Sequence, residues 1–438
     1  MTVKKCVVIH NGSSSTVAGF SNMELPQSII SSSYVQKGNE RVFGTFAMLD
    51  ECESKEGCEV YTIMDKNGMP YNWEALEAQW RYLYEYELKV DPQELPLVIS
   101  VPATHSEIDP QVVENYFDLA LNKLQVPALQ IVVEPLAVAL AMGKSSALVI
   151  DVGARGTTVT PIVDGTVVRS GVMKSRFGGD FLDYQVAKLL EEPLGSSSHE
   201  AWYNSATWIR EFKSTMLQVC DKNLSELERY HRDQLLLQQQ QQQQLGGAYH
   251  NYMTNPLTQK RNFLLKKNNK TVTLELRDCY RVCEYLFQPQ LASPDYASRD
   301  GLGELLSRSI KKAAASVSAQ GTPGGGQGAS LVYNRHQPQL QPEQPSTTTT
   351  TASSATTEQV YAQLLTNVVI TGSTSLVAGF EPRIVSELAV RFPQNKLATY
   401  ANQIHLDRAV QGWIAMGAMA ALPGWQLGQW HTRRELAG

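Results

Sequence analysis

The sequence has few cysteines and no long apolar run. It contains six cysteines in 438 residues, and the close pairs Cys52/Cys58 and Cys279/Cys283 lack the double CxxC spacing of a zinc site. No apolar run approaches the roughly 20 residues that span a bilayer. Residues 1–10 are too short and too polar for a secretory signal. We therefore expect reduced thiols and no contact with a membrane.

An excess of charge of one sign is also missing. The chain carries 38 lysine and arginine residues against 43 aspartate and glutamate residues, a formal net charge of −5. Without a basic excess, a chain does not bind nucleic acid by bulk electrostatics, so we expect no direct sequence-specific DNA binding. The length suits two lobes of about 150–200 residues each, and 42% of the residues are hydrophobic, which suffices for a core.

Two segments offer too little apolar surface to join a core. The first, about 235–256, contains the glutamine run Gln238–Gln244 followed by two glycines. The second, about 313–357, contains three consecutive glycines, a Gln/Pro stretch and a Ser/Thr run. Such compositions are typical of disorder. Because ordered patterns resume on both sides, we expect disordered insertions into a fold.

A strand, a Gly/Ser-rich turn and a second strand follow one another twice, over residues 6–20 and 147–163. A third glycine-rich turn follows a short apolar strand within residues 367–375. Helical spacing over Pro110–Lys123 and Glu134–Gly143 separates the first two units, and this alternation of strands and helices predicts an α/β fold. We expect the three turns to converge on one cleft.

The three turns have the chemistry of a phosphate site. Consecutive backbone N–H groups in a tight glycine turn form a concave anion site, and glycine permits positive φ and the close approach of a ligand. Two facing hairpin tips would clamp a polyphosphate from both sides. Asp151, at the mouth of the second turn, could hold a magnesium ion directly or through water. Gly/Ser turns are also common where nothing binds.

In this order, the motifs resemble the actin family. The resemblance rests on Asn11-Gly12-Ser13 with Ala18-Gly19-Phe20, on Val149-Ile150-Asp151-Val152-Gly153, and on Thr371-Gly372-Ser373-Thr374-Ser375. It implies an α/β, actin-like (ribonuclease H-like, duplicated) two-lobed fold around a central nucleotide cleft. The implied divisions are a first lobe over 1–146 with a small outer subdomain at about 31–65, a second lobe over 147–400, and C-terminal helices over 401–438 that return to the first lobe.

The resemblance also implies a cofactor, ATP with magnesium, and a set of residues that bind it. The implied nucleotide-binding residues are Gly12, Ser13, Ser14, Asp151, Gly153, Gly156, Thr157, Gly178, Lys213, Gly372, Ser373 and Thr374. Lys213 stands where the family contacts the sugar side of the nucleotide. Asp151 is the one implied magnesium residue.

Several family positions that carry charge or handle water are replaced in this chain. His10 stands for a magnesium-facing aspartate, Val17 for a phosphate-binding lysine and Ala154 for an inner aspartate of the second hairpin. Glu134 and Thr158 stand for the glutamine that orients the attacking water and the histidine beside it. Each charge-assisted contact contributes about 1.5–3 kcal/mol, so losing several should leave hydrolysis negligible. We expect no catalytic residue and, at best, ATP binding without turnover.

Within the family, the chain resembles the fungal actin-related subunits of the SWI/SNF and RSC chromatin remodellers. The stretches that carry this likeness are Cys6–Ser13, Gln79–Tyr84 and Lys174–Asp183. The likeness implies a nuclear scaffold that pairs with a second actin-related protein, contacts other remodeller subunits and binds a helical segment of the remodeller ATPase.

Actin-fold proteins offer an apolar groove that suits an amphipathic helix. The groove residues implied here are Trp413, Ile414, Met416, Leu422 and Trp425, although some of them must serve the core. Two alternatives are an ATP-hydrolysing, filament-forming actin-like protein and a sugar kinase or chaperone ATPase of the same superfamily. Both need carboxylates near the hairpins, where this chain has His10 and Ala154.

Overall fold

Two central β-sheets form the frame of the protein. The computed structural model describes residues 5–48, 59–194, 206–244, 255–265, 269–320, 356–401, 408–421 and 430–433. The strands are β1 (Val7–Asn11), β2 (Ser15–Phe20), β3 (Ser28–Ser31), β4 (Ser33–Lys37), β5 (Glu40–Val42), β6 (Val60–Thr62), β7 (Leu97–Val101), β8 (Leu129–Val133), β9 (Ala147–Val152), β10 (Thr157–Val163), β11 (Thr166–Val167), β12 (Met173–Ser175), β13 (Lys260–Leu265), β14 (Lys270–Glu275), β15 (Val368–Thr371) and β16 (Thr399–Tyr400).

Helices lie between the strands over most of the chain, as the α/β prediction required. The α-helices are α1 (Trp73–Tyr82), α2 (Pro110–Phe117), α3 (Glu134–Ala141), α4 (Gly179–Leu194), α5 (Ala206–Met216), α6 (Leu224–Gln244), α7 (Leu276–Glu284), α8 (Leu302–Gln320), α9 (Thr357–Leu365), α10 (Phe380–Arg391) and α11 (Gln411–Ala421).

The two sheets repeat one arrangement. In the first, with order β3-β2-β1-β7-β8, strand β1 pairs antiparallel with β2 and parallel with β7. In the second, with order β11-β10-β9-β15-β16, strand β9 pairs antiparallel with β10 and parallel with β15, while β12 pairs with the start of β10. Each hairpin tip therefore lies at the carboxyl ends of parallel strands, where α/β proteins bind ligands. This duplication confirms the actin-like fold.

The buried side chains join the two sheets through a shared core. One cluster belongs to the first sheet and contains Trp80, and another belongs to the second sheet and contains Phe212. A third cluster draws Val8 from β1, Val149 from β9 and Trp413 from α11. Helices α3 and α11 pack against each other within it. We refer to this third cluster as the shared core.

The sequence explains where helix α2 begins. Asp109 precedes it, and its carboxylate accepts a hydrogen bond from the N–H of Gln111 at 2.9 Å, which caps the first turn. Proline at the next position needs no N–H partner there. The helix predicted over Pro110–Lys123 is α-helical to Phe117 and π-helical from there to its end.

The glutamine run, which was predicted to be disordered, is helical in the structure. Helix α6 continues to Gln244, so the part of the predicted insertion 235–256 up to that residue is helical. Glutamine is a good helix former. Because the helix already begins at Leu224, the run only lengthens it and avoids the cost of nucleation. Residues 245–254 lie outside the described residues.

The second predicted insertion, about 313–357, is also shorter than expected. Helix α8 continues to Gln320, and Ala313, Ala314 and Val317 on it are buried. These residues continue the helical spacing of the preceding turns, so they pack although their neighbours are polar. At the other end, the side chain of Thr356 caps helix α9. Residues 321–355 lie outside the described residues.

A three-stranded sheet, with order β5-β4-β6, lies within the predicted outer subdomain. A turn follows it, closed by a bridge between Met64 and Pro70. The carboxylate of Asp65 accepts hydrogen bonds from the N–H groups of Asn67 at 2.7 Å and Met69 at 2.9 Å. We call residues 64–70 the outer turn, because it brings the small sheet to the cleft.

The described ranges contain neither a membrane-spanning helix nor a cluster of metal-binding side chains. No helix there is long and apolar enough to cross a membrane. In the same residues, no group of three or more His, Cys, Asp or Glu side chains could hold a metal ion. Cys6, Cys220, Cys279 and Cys283 are buried free thiols. Cys52 and Cys58 lie outside the described residues.

Candidate nucleotide cleft

The first hairpin tip is closed by its own backbone. The N–H of Gly12 donates to the carbonyl oxygen of Ser15 at 3.0 Å. A Cβ at Gly12 would lie 2.7 Å from that oxygen, so the turn requires glycine. Ser14 is exposed at the tip, and Ser13 is partly exposed beside it. The tip therefore presents backbone and hydroxyl groups to the cleft.

The start of helix α4 packs against the second hairpin tip and is hydrogen-bonded to it. Gly153 N–H donates to Gly156 O at 3.0 Å, and Gly179 N–H donates to Gly153 O at 2.9 Å. A Cβ at Gly178 would lie 2.5 Å from Gly153 O, which leaves no room for a side chain. Thr157 is buried, and its hydroxyl donates to the carbonyl of Phe177 at 2.8 Å. Gly178 and Thr157 thus support the hairpin.

The third loop binds directly to the second hairpin. Gly372 has a φ of +88°, and a Cβ there would lie 2.5 Å from the carbonyl oxygen of Val152. The hydroxyl of Thr374 donates to Gly153 O at 3.0 Å. The second hairpin is therefore held on two sides, by the start of helix α4 and by the third loop.

All three loops line one cavity of about 130 Å³, as the sequence predicted. The predicted nucleotide-binding residues that line it are Gly12, Ser13, Ser14, Asp151, Gly153, Gly156, Gly372 and Ser373. The predicted residues that do not line it are Thr157, Gly178, Lys213 and Thr374. Three of these four support the loops. Lys213 instead forms an ion pair with Asp183, with 2.6 Å between Nζ and Oδ1.

The floor of the cavity holds an unusual group of titratable side chains. His10 Nδ1 lies in hydrogen-bond contact with Ser100 Oγ at 2.8 Å, and His10 Nε2 lies 3.7 Å from Glu134 Oε1. Burial lowers the pKa of His10 to about 4, although the charge of Asp151 opposes this. Burial raises the pKa of Glu134 to about 7. Burial, followed by the charge of Glu134, raises the pKa of Asp151 to about 7. Near neutral pH the imidazole is therefore uncharged.

Val17 on β2, which stands for the phosphate-binding lysine of the family, brings no charge to the cavity floor. Val17 lies opposite His10 in the β1–β2 pairing, and it is 1% exposed within the shared core. Thr158 lines the cavity opposite Asp151 on the neighbouring strand, and Ala154 lines it at the hairpin tip. Apart from His10 and Arg155, the hairpins consequently offer backbone N–H groups, hydroxyls and a single carboxylate.

Four cationic residues line the cavity, and none of them is among the predicted site residues, although from the sequence Arg155 could reach a phosphate or lie solvated at its turn. They are Lys66, Arg155, Lys174 and Arg408. Arg155 donates to the carbonyl oxygens of Met64 and Asp65 in the outer turn. Arg408 donates to Ser375 O at 2.9 Å. Both arginines therefore hold loops together, while the two lysines are exposed at the cavity wall.

Helix α11 corrects the predicted partner groove. Trp413 is 1% exposed, and its indole N–H donates to Val8 O at 3.0 Å. Met416 is fully buried in the same shared core. These two residues are therefore core residues, because α11 is apolar on nearly every side and must be buried on most of them. Ile414 is partly exposed. Leu422 and Trp425 lie outside the described residues.

Comparisons with known proteins agree with this geometry. A sequence model described as Actin matches residues 2–435. The chain is 50% identical to Actin-related protein 7 of Saccharomyces cerevisiae, over 99% of this chain and 95% of that protein. It is 24% identical to Actin-related protein 4 of Eremothecium gossypii, over 95% of this chain and 91% of that protein. It is 30% identical, over 42% of this chain and 43% of that protein, to the SWI/SNF and RSC complexes subunit arp42 of Schizosaccharomyces pombe.

Proposed function

The chain belongs to the actin family, and on that premise we propose that it is a non-catalytic scaffold subunit of a nuclear chromatin-remodelling complex of the SWI/SNF or RSC type. In this role it pairs with a second actin-related protein and binds a helical segment of the remodeller ATPase. Its cleft binds ATP without turnover. The two sheets and their shared core supply a rigid body for these contacts.

The relatives support the choice of complex. One of them, from Schizosaccharomyces pombe, is named as a subunit of SWI/SNF and RSC complexes. The match to Actin-related protein 7, at 50% identity over nearly the whole chain, is far stronger than the match to Actin-related protein 4, at 24%. Remodellers act on chromatin, so this function places the chain in the nucleus.

The observation that carries the non-catalytic part is the chemistry of the cleft floor. Phosphoryl transfer depends on positioned charges that stabilise the transferring group and orient the attacking water. Here the first hairpin brings an uncharged His10 to the cleft, while Val17, opposite it on β2, is buried in the shared core and brings no charge. Glu134 Oε1 lies 3.7 Å from His10 Nε2, and within the described residues Glu134 forms no ion pair with a lysine or arginine. The backbone N–H groups remain and suit phosphate binding.

Because Trp413 and Met416 belong to the core, the surface for the partner helix must lie on other residues. Among the apolar side chains that stay partly exposed against the shared core are Leu140, Ala141, Met142, Tyr400 and Ile414. Leu140 and Ala141 end helix α3, and Ile414 lies on the helix packed against it. An amphipathic helix that docks by apolar anchors needs such a patch. We propose these residues as the groove in place of Trp413 and Met416.

Two experiments test the proposed function. Affinity purification of the chain from nuclear extract, followed by mass spectrometry, should recover a remodeller ATPase and a second actin-related protein in equal amounts. Recovery of neither would refute the assignment to a remodeller. Phosphate release from ATP should stay at background for purified chain. Release at the rate of a filament-forming actin, measured in parallel, would favour the hydrolysing alternative.

A further inference from the structure

Strand pairing places a lysine in one row with the cleft aspartate, with Thr158 between them. Thr158 on β10 lies opposite Asp151 on β9 and opposite Lys174 on β12. Directly opposed residues of antiparallel strands project from the same face of a sheet. Asp151, Thr158 and Lys174 therefore form one row across three strands, and all three line the cavity with the hairpin tips.

Lys174 is positioned to act on a ligand. Within the described residues its ammonium makes no ion pair, whereas Arg155 and Arg408 at the same cavity donate to backbone carbonyls. Lys174 extends from the second sheet, close to the end of the second hairpin tip at Gly156. A Cβ at Gly156 would clash with the backbone of Ser175, the residue after Lys174. Lys174 lines the same cavity as both hairpin tips, so its charge faces the space between them.

A divalent cation fits this cleft poorly. Magnesium prefers near-octahedral oxygen coordination, with carboxylates among its ligands. Two carboxyl groups line the cavity, Asp151 and Glu134. Burial raises the pKa of each to about 7, which disfavours the ionised form that a metal ion requires. His10 stands on the first hairpin where a carboxylate would be needed, and it is engaged with Ser100. The ammonium of Lys174 adds a repelling charge in the same row.

We propose that the cleft binds the phosphate groups of a nucleotide without a divalent cation, and that the ammonium of Lys174 supplies the positive charge that a metal ion would otherwise supply. This inference rests on the proposed binding of ATP. Lysine binds phosphate as a point charge, and the glycine turns add backbone N–H donors. The charge absent at Val17 on β2 is thus provided from β12.

The test is a calorimetric titration of the full chain with ATP, ADP and adenosine, in buffer with EDTA and in buffer with magnesium. The wild-type affinity for ATP should agree within about threefold between the two buffers. Lys174→Gln should weaken ATP binding about 10–100-fold, the loss of one charge-assisted contact, and should leave adenosine binding unchanged. Lys174→Arg should retain most of the affinity. Lys311→Gln, on the exposed face of α8, is the matched control.

The outcomes separate the inference from the function on which it rests. ATP binding that needs magnesium, or that is insensitive to Lys174→Gln, overturns the inference and leaves ATP binding intact. Absence of ATP binding in both buffers overturns the inference together with the nucleotide part of the proposed function. The comparison of buffers uses wild-type protein, so it does not depend on how the variant folds.

Discussion

Trp413 donates its indole N–H to the carbonyl oxygen of Val8 at 3.0 Å, although 405 residues separate the two in the chain. The contact fixes helix α11 to the first strand of the first sheet. It supports the proposal that the C-terminal segment returns to the first lobe. It also explains why an aromatic residue expected at a partner surface belongs to the core instead.

Truncation of Trp413 should therefore damage folding, whereas truncation of its neighbour should damage binding. Trp413→Ala should lower the free energy of unfolding by about 3–5 kcal/mol, because it empties a large buried site. Ile414→Ala should change stability little and weaken binding of the ATPase helix by about 1–4 kcal/mol if it is an anchor. Urea unfolding and helix affinity, measured for both variants, check this. Equal loss of stability in the two variants would show that the groove is misplaced.

Removal of residues 321–355 should leave the fold intact. Ser318 Oγ and Thr357 Oγ1 lie 3.2 Å apart, so the flanking helices α8 and α9 already meet and a short Gly/Ser linker can join them. The melting temperature should change by no more than about 2 °C, since loop length affects stability weakly. A longer deletion, from residue 313, is the contrasting variant. It removes buried Ala313, Ala314 and Val317, and it should lower the melting temperature strongly.

The buried ion pair of the second lobe should be sensitive to neutralisation. Arg383 and Glu284 are each 1% exposed, and Arg383 Nη2 lies 2.7 Å from Glu284 Oε1. Glu284→Gln removes the more deeply buried of two carboxylates that pair with Arg383, since Glu387 Oε1 also lies 2.7 Å from Arg383 Nε, and it should cost about 1.5–3 kcal/mol. Glu304 pairs with Arg391 at 2.8 Å but is 52% exposed, so Glu304→Gln should cost less than about 1 kcal/mol. Urea denaturation of the two variants measures this. Equal losses in the free energy of unfolding would contradict the assigned burial.

The cleft carboxyl Glu134 should make stability depend on pH. Burial raises its pKa to about 7 from an ordinary 4.5, so the folded state holds the proton more tightly than the unfolded state. This contribution to stability is complete below about pH 4.5 and is lost as the pH rises through 7. Glu134→Gln cannot ionise. The free energy of unfolding of this variant should match that of wild type near pH 4.5 and exceed it by up to about 3 kcal/mol near pH 8.5.

Urea denaturation of nucleotide-free protein across this pH range is the measurement, with Glu24→Gln at an exposed position as control. A constant difference between Glu134→Gln and wild type over the whole range would mean that the carboxyl ionises normally in the fold.

Locally encoded features were predictable from the sequence. Glycine and serine between apolar runs specify a turn through backbone freedom and side-chain hydrogen bonds, so both hairpins and the loop at Gly372 were placed correctly. Their convergence followed from the repeated pattern, because equivalent turns on duplicated sheets face the same space. Eight predicted residues accordingly line the cavity, from Gly12 to Ser373.

Features that arise from packing or long-range pairing were not predictable. Helix α11 is apolar all round, so spacing could not tell that Trp413 faces the core. Lys174 joins the cleft only because β12 pairs with β10, a register that short spacing does not encode. Composition also misjudged the glutamine run, since a polar tract of good helix formers remains helical when a preceding helix has nucleated it.

The mass of the chain in solution tests its role as a scaffold most directly. Sedimentation velocity in polymerising salt with ATP should show a 48.5 kDa monomer for the chain alone. Addition of a second actin-related protein and the remodeller ATPase helix should shift all of it to a single species with one copy of each component. Long filaments formed by the chain alone, or a monomer that persists with both partners present, would contradict the scaffold function.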